Sequence, residues 1–440
     1  MSPRPGAPLW GGAGLFSLLL CLADHEHPRE QSVTEIDRLF DTAKAAAHYP
    51  PFIFLPAVFN SHGHPRDTQA EGDGRAEMMI PLYAEVFGDV MGMGNTIQPL
   101  ITAHLARLKG QQWRTLIPDP RRLKMHVAGL MHEGTIPAEV IAGYDMPSQE
   151  QAWIAMKMFM RSVSNSHGAD VDNLTHVIPS IRAMAETKFR HQKGPMPLSV
   201  HAERKFYSNG KRIFFLDRNK ESMERDITRI FNEVPTARVI ICHVNSKFAV
   251  DMIRRFRALC FDIWGEISPH YTLYTCDDLF DGPNGSTMFN AHLFCLPIFG
   301  TEEDRAAIME AMLSGEPWWF YGDDGACHWD NPTLPKGVKI NSDGFVVGGQ
   351  TQIPRATISY VIEAFAEAGK THLLANFLSH NGRQAFHLPA AKFETHFVRR
   401  DWQVQHEIGY DSPTLGKLKA RVAMGGQTRR YWPEDLPFAA

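Results

Sequence analysis

Four histidines, a pair of acids and one lysine stand where this sequence could do chemistry. His62 and His64 flank a glycine as H-x-H, His201 and His243 each close a short apolar run, and Asp323-Asp324 close another. Imidazole nitrogen and carboxylate oxygen suit zinc and similar divalent ions. In an extended strand, alternation puts both rings of an H-x-H on one face. A lone histidine says little, because the chain has 21 of them and most histidines are hydrogen-bonded core or surface residues. His167, His270 and His292 therefore carry no assignment by themselves. Lys157 is different, since it lies near the end of the apolar run AWIAMKMF (152–159). A lysine inside a buried strand is costly unless its charge is paired or removed. Either its ammonium snorkels to solvent from the strand end, or the neutral amine takes up carbon dioxide and becomes a carbamate. A carbamate is in effect a long carboxylate, able to bridge two cations.

The elements that must position these groups follow from periodicity. Eight short apolar runs read as strands: 52–60, 88–95, 122–131, 152–159, 197–203, 237–244, 260–269 and 317–324. Stretches with apolar residues at three-to-four spacing lie between most of them, at 75–87, 173–187, 222–235, 246–259 and 302–315. Eight strands with intervening helices match an α/β fold of the (β/α)₈ barrel type. A doubly wound dinucleotide sheet fits less well, because no G-x-G-x-x-G follows the first strand. In such a barrel the C-terminal strand ends converge on the active site. Histidines and acids at the ends of strands one, five, six and eight, with Lys157 in strand four, would then meet in one pocket. The expected organisation is an N-terminal extension over 1–45, a barrel over 46–400 and a C-terminal tail over 401–440 packing on the barrel. Within it, the Gly- and Pro-rich stretch after 330 reads as a long ordered loop and 354–400 as helical.

Composition narrows the partners. A hydrophobic fraction of 44% and a net charge of −4 describe an ordinary globular chain with no general attraction to nucleic acid or anionic membrane. The six cysteines show no C-x-x-C pair and no disulfide rhythm, which points to a reducing, cytoplasmic setting. The apolar run over Leu15–Ala23 is too short to span a bilayer and lacks a clear small-x-small cleavage site.

Taken in order, the motifs resemble those of the dihydroorotases, especially the shorter bacterial type, within the amidohydrolase superfamily. NSHGHPRD (60–67) resembles the family's H-x-H-x-R-D opening, and GMGNT (92–96) is similar to its M-P-N-T turn. AMKMF (155–159) looks like the strand of the carboxylated lysine, and NSHG (165–168) like the loop after it. LSVHAE (198–203), VIICHVNSKFAVDMI (239–253), ISPHYTL (267–273), HLFCLPI (292–298) and GDDGACH (322–328) resemble the later barrel motifs. LSHNGRQAFHLP (378–389) and VAMGGQTRRYW (422–432) extend the likeness almost to the C-terminus.

The resemblance implies a site residue by residue. His62, His64 and Asp324 would hold one Zn²⁺, His201 and His243 a second, and N6-carboxylated Lys157 would bridge both. A hydroxide shared by the cations would be the nucleophile, with Asp324 as general base and then acid. Arg66 and Asn95 would grip a substrate carboxylate, His328 would add a further contact to it, and Leu296 would offer backbone groups to the ring amide. The implied reaction is the reversible interconversion of L-dihydroorotate and N-carbamoyl-L-aspartate in pyrimidine synthesis, by a homodimer. Several positions depart from the family. Asp323 and Cys327 replace a threonine and a proline, which leaves two adjacent acids; Asp324 is preferred because its four-residue step to His328 keeps the family spacing. The lid loop lacks paired threonines, with Ser162 and Ser164 in their neighbourhood, and Asn290-Ala291 precede His292 without the usual proline. The segment 335–354 stands where a cysteine-rich stretch is usual. These departures favour an alternative reading, a related amidohydrolase acting on another cyclic amide. An inactive homologue serving as a structural partner is the third reading, and a full set of six ligand-type residues argues against it.

Overall fold

Strands buried on both faces read as near-continuous apolar runs, and here they form one parallel sheet curled into a barrel. The structure, a computed structural model, describes residues 49–65, 75–93, 100–160, 170–202, 220–279, 293, 295–328, 339–340, 346–347, 351–412 and 416–436. The N-terminal extension, the lid-loop residues Ser162, Ser164 and His167, and His292 lie outside these residues.

The barrel strands are β2 (Val58–His64), β3 (Phe87–Gly92), β4 (Lys124–Met131), β5 (Ala155–Phe159), β6 (Pro197–His201), β7 (Arg238–Ile241), β8 (Ile263–Ile267) and β9 (Trp319–Tyr321). Each pairs in parallel with the next. Two residues of β10 (Gly325–Ala326) continue the chain of β9 and pair with Gly63 and His64 of β2. The last strand thus touches β8 with its first half and β2 with its second, and the barrel closes.

Helices cover the outside. Ala103–Thr115 is started by Thr102, whose hydroxyl accepts from the Leu105 amide, and Lys247–Ala258 by Ser246 in the same way with Ala249. Glu302–Leu313 begins with a capping box between Thr301 and Asp304. The helices Leu174–Glu186, Lys220–Glu233, Lys247–Ala258 and Glu302–Leu313 agree with the periodicity to within a few residues. Ala103–Thr115 and Pro137–Tyr144 were not singled out by it. Phe59, Met91, Ile240, Trp264 and Phe320 fill the lumen, with Phe386 set edge-on against Phe59 and Phe320.

Two expectations are corrected. The run 52–60 is not one strand: β1 (Phe52–Pro56) leaves the barrel and pairs antiparallel with β13 (Glu394–Gln403), and the barrel strand starts only at Val58. The stretch 354–400 is not helical throughout. Helix Pro354–Glu367 and the turns to Ala385 give way to β13, whose burial alternates where Thr395 and Phe397 turn inward. β13 in turn pairs with β16 (Thr428–Pro433), making a three-stranded side sheet. Between them, β14 (Glu407–Ser412) and β15 (Gly416–Arg421) form a hairpin. In the segment expected as a loop, β11 (Lys339–Ile340) and β12 (Val346–Val347) pair antiparallel.

Candidate metal centre

The histidines and acids sit at the C-terminal ends of the barrel strands, and their ring and carboxylate atoms meet. His62 Nε2 lies 3.1 Å from His64 Nε2 and 3.3 Å from Asp324 Oδ1, and His64 Nε2 lies 2.9 Å from the same oxygen. The ring of His243 is 5.2 Å from that of His62 and 4.5 Å from that of His201, centre to centre. His62, His64, His201, His243 and Lys157 are all buried. Gly63 is needed between the two histidines of β2, because a Cβ there would come within 2.9 Å of the Tyr83 hydroxyl.

Strand alternation carries part of this arrangement and backbone strain the rest. On β5, Lys157 shares a face with Ala155, which lines the lumen. On β7, Ile240 lines the lumen, so alternation would turn Cys242 inward and His243 outward. His243 instead has φ +40°, and Asp324 has φ +51°. Left-handed backbone at non-glycine residues costs of order 1–3 kcal/mol and persists where surroundings over-determine it. Both of these left-handed residues are members of the cluster.

Asp323, the other acid of the pair, does a different job. Its Oδ1 accepts from the Asn60 side chain at 2.7 Å and the Gly325 amide at 2.8 Å, and its own amide donates to Asn60 Oδ1. These bonds tie β2 to the β9–β10 junction where the barrel closes. Burial pushes the Asp323 carboxyl up to about 7. Asp324 is also buried, which works to raise its pKa, but His62 and His64 outweigh that and hold it well below the carboxylate range.

One charged residue escaped the sequence reading. Glu266, on β8, is completely buried. Its Oε1 lies 2.6 Å from His62 Nδ1 and accepts from the His243 amide at 3.2 Å, while its Oε2 accepts from the Ser61 hydroxyl at 2.6 Å. The signal was present: a carboxylate inside the apolar run 260–269, the same kind of oddity as Lys157. Burial opposes a charge on His62, but Glu266 outweighs it and pushes the imidazole up to about 10. Burial and the neighbouring His201 and Lys157 hold His243 well below the usual range, in the neutral form that binds cations.

The donor set fits metal ions. Four imidazoles, one carboxylate and an amine are gathered at the strand ends, with the three closest ligand atoms mutually in reach of one ion. Lys157 Nζ is fully buried, 5.2 Å from the Phe159 ring centre, and has no hydrogen-bond partner among the described residues. An orphaned ammonium there is strongly unfavourable, and conversion to an anionic ligand removes the problem.

Of the expected substrate contacts, Arg66 and Asn95 lie outside the described residues. Leu296 is partly buried against the core, and the next residue, Pro297, accepts at its carbonyl from the Tyr271 hydroxyl. The His328 amide donates to Thr351 Oγ1, so the segment before helix Pro354–Glu367 runs beside the barrel mouth. A cavity of about 660 Å³, lined by residues that include Tyr274, Asp278, Glu407 and Arg421, shares no residue with the cluster.

The chain matches no protein-family model. It is 24% identical over 348 residues to the dihydroorotase of Coxiella burnetii, covering 79% of this chain and 91% of that one. The dihydroorotases of Cupriavidus necator and Laribacter hongkongensis are similar at 24% and 26% identity, covering 84% and 82% of this chain and 95% and 94% of theirs. A crystal structure of dihydroorotase from Saccharomyces cerevisiae in complex with 5-fluoroorotic acid superposes with a TM-score of 0.70 at 18% identity, covering 87% of this chain and 98% of that one. The L-hydantoinase (dihydropyrimidinase) from Arthrobacter aurescens superposes at 0.65 with 14% identity, covering 87% and 83%. The fold is therefore the (β/α)₈ barrel that these two structures share. The dihydroorotase resemblance extends over most of the chain and nearly the whole length of the relatives.

Proposed function

We propose that this chain is a metal-dependent cyclic amidohydrolase of the dihydroorotase kind, interconverting L-dihydroorotate and N-carbamoyl-L-aspartate. The observation that carries the reading is the convergence of His62, His64, His201, His243 and Asp324 around the unpartnered, buried amine of Lys157. His62, His64 and Asp324 would hold one divalent cation, His201 and His243 a second, and Lys157, as its carbamate, would bridge them. Zinc suits this nitrogen-and-oxygen donor set. When bound, such ions polarise an amide carbonyl and lower the pKa of water.

The chain's own groups do the rest. Asp324 takes the proton of the attacking water and hands it to the leaving ring nitrogen. Arg66 and Asn95 orient the substrate carboxylate, His328 adds a contact to it, and backbone groups of Leu296 face the ring amide. From the same resemblance we infer a homodimer in the cytoplasm. Among the described residues no disulfide joins Cys242, Cys260, Cys276, Cys295 or Cys327, which fits a reducing compartment. Among the described residues no helix is long and apolar enough to cross a membrane.

A second reading, hydrolysis of another cyclic amide, is favoured by one contact. Gln352 donates to His270 Nδ1 at 3.0 Å, which brings the segment that departs from the family against the end of β8. The deciding experiment measures bound metal on purified protein while following ring opening of L-dihydroorotate in the ultraviolet. About two zinc ions with efficient turnover support the first reading. Metal without turnover moves the substrate to another cyclic amide, and absence of both brings forward an inactive partner protein.

A further inference from the structure

Glu266 ends in a carboxylate that none of the proposed steps uses, yet it is the most heavily engaged side chain under the cluster. A single oxygen, Oε1, receives both the His62 ring at 2.6 Å and the His243 amide at 3.2 Å. These two residues belong to different metal positions in the reading above, on which this inference rests. The other oxygen fixes Ser61, whose hydroxyl also contacts the Tyr321 carbonyl at 2.9 Å. Space has been kept for the group: a Cβ on Gly322 would lie 2.6 Å from the Glu266 carboxyl carbon.

We propose that Glu266 is the positioning residue that couples the two metal positions. With Nδ1 held by Glu266, Nε2 is the ring nitrogen turned toward the cluster, 3.3 Å from Asp324 and 3.1 Å from His64. Accepting the His243 amide holds that residue in its left-handed conformation, φ +40°, the turn that brings its ring inward against alternation. One carboxylate therefore sets the ring nitrogen of one ligand and the backbone of another. Cys242, His62 and Glu266 could be taken as a separate cation site. The 2.6 Å contact speaks against that, since it is a hydrogen-bond distance with the Nδ1 proton between ring and carboxylate.

The test uses Glu266→Gln, which keeps the volume, and Glu266→Ala. Zinc affinity is measured by chelator competition, and the His62 Nδ1 proton is followed by NMR in metal-free protein. For Glu266→Gln the expected result is folded protein with about 10- to 100-fold weaker zinc binding at both positions. The low-field Nδ1 proton should move upfield, while KM for dihydroorotate changes by no more than about twofold. Unchanged zinc affinity and an unmoved proton resonance overturn the proposal. So does loss confined to one metal position, because the coupling is then absent. If Glu266→Ala fails to fold, the glutamine variant still decides. If the wild-type chain binds no zinc, the metal reading falls, while the proton resonance still reports whether Glu266 orients His62.

Discussion

The two ends of the barrel treat some of their buried polar groups differently. At the N-terminal end, Asp89 of β3 is met by His126 Nε2 at 2.8 Å and Arg383 Nη2 at 2.7 Å, and Arg383 also reaches Ser379 and the Ala57 carbonyl. Arg238 at the start of β7 meets Asp262 at 2.7 Å in the same manner. At the C-terminal end, Lys157 Nζ, His243 Nδ1, His270 Nε2, Ser199 Oγ and Ser268 Oγ are buried with no hydrogen-bond partner among the described residues. An unpaired buried polar group costs about 1–3 kcal/mol, so this end is poor at holding the fold together. Its cost makes sense only if something else binds there. The floor supplies stability and the mouth keeps donors in reserve, which is the division expected of a barrel enzyme.

Lys157→Ala breaks the mouth and gives the largest expected effect. In the proposed site both metal positions would lose their shared ligand, so bound zinc and turnover should fall together. The expected activity loss is about 10³-fold or more, corresponding to several kcal/mol of electrostatic stabilisation. In metal-free protein, thermal unfolding should change little or improve, because an orphaned amine is removed. Short carboxylic acids should restore part of the activity by occupying the carbamate's place. Full activity in the variant would remove Lys157 from the site.

How much of this contrast was legible depended on whether neighbours in sequence or neighbours in space decide the structure. The apolar runs ending in His64, His201, His243 and Asp324 were readable because strand burial is a local pattern. The division of labour between Asp323 and Asp324 was not, since it depends on Asn60, more than 260 residues away. Glu266 was overlooked although the burial argument used for Lys157 applies to it equally. The left-handed turns at His243 and Asp324 have no sequence mark, as neither position is glycine. β1 and β13 were misjudged because their pairing is with each other, across some 340 residues of chain.

Arg383→Met breaks the floor and should spare the mouth. It leaves Asp89 beside His126 without the cation that hydrogen-bonds it. Removing one partner of a buried pair typically costs several kcal/mol, and partial exposure of Asp89 lowers that to about 3 kcal/mol. Urea unfolding should show the loss as a lower midpoint, with zinc content and KM unchanged. A variant that unfolds normally but loses zinc would erase the distinction between the two ends.

Acid supplies the mildest test of the same floor. Burial works to raise the Asp89 pKa, but His126 and Arg383 outweigh it and leave it below the ordinary aspartate value of 3.8. Burial lowers His126 itself, so the Asp89 pair does not depend on an imidazolium at neutral pH. Lys124, the other cation facing Asp89, adds to the same direction. A carboxylate whose folded pKa lies below its unfolded one stabilises the fold at pH above the unfolded value. That stability is lost as pH falls through the folded value. In metal-free protein, stability measured by urea between pH 6 and pH 3 should therefore decline below about pH 4. Asp89→Asn should start lower and decline less steeply over that interval. Equal slopes for the two proteins would show that the floor's ion pair contributes nothing to acid sensitivity.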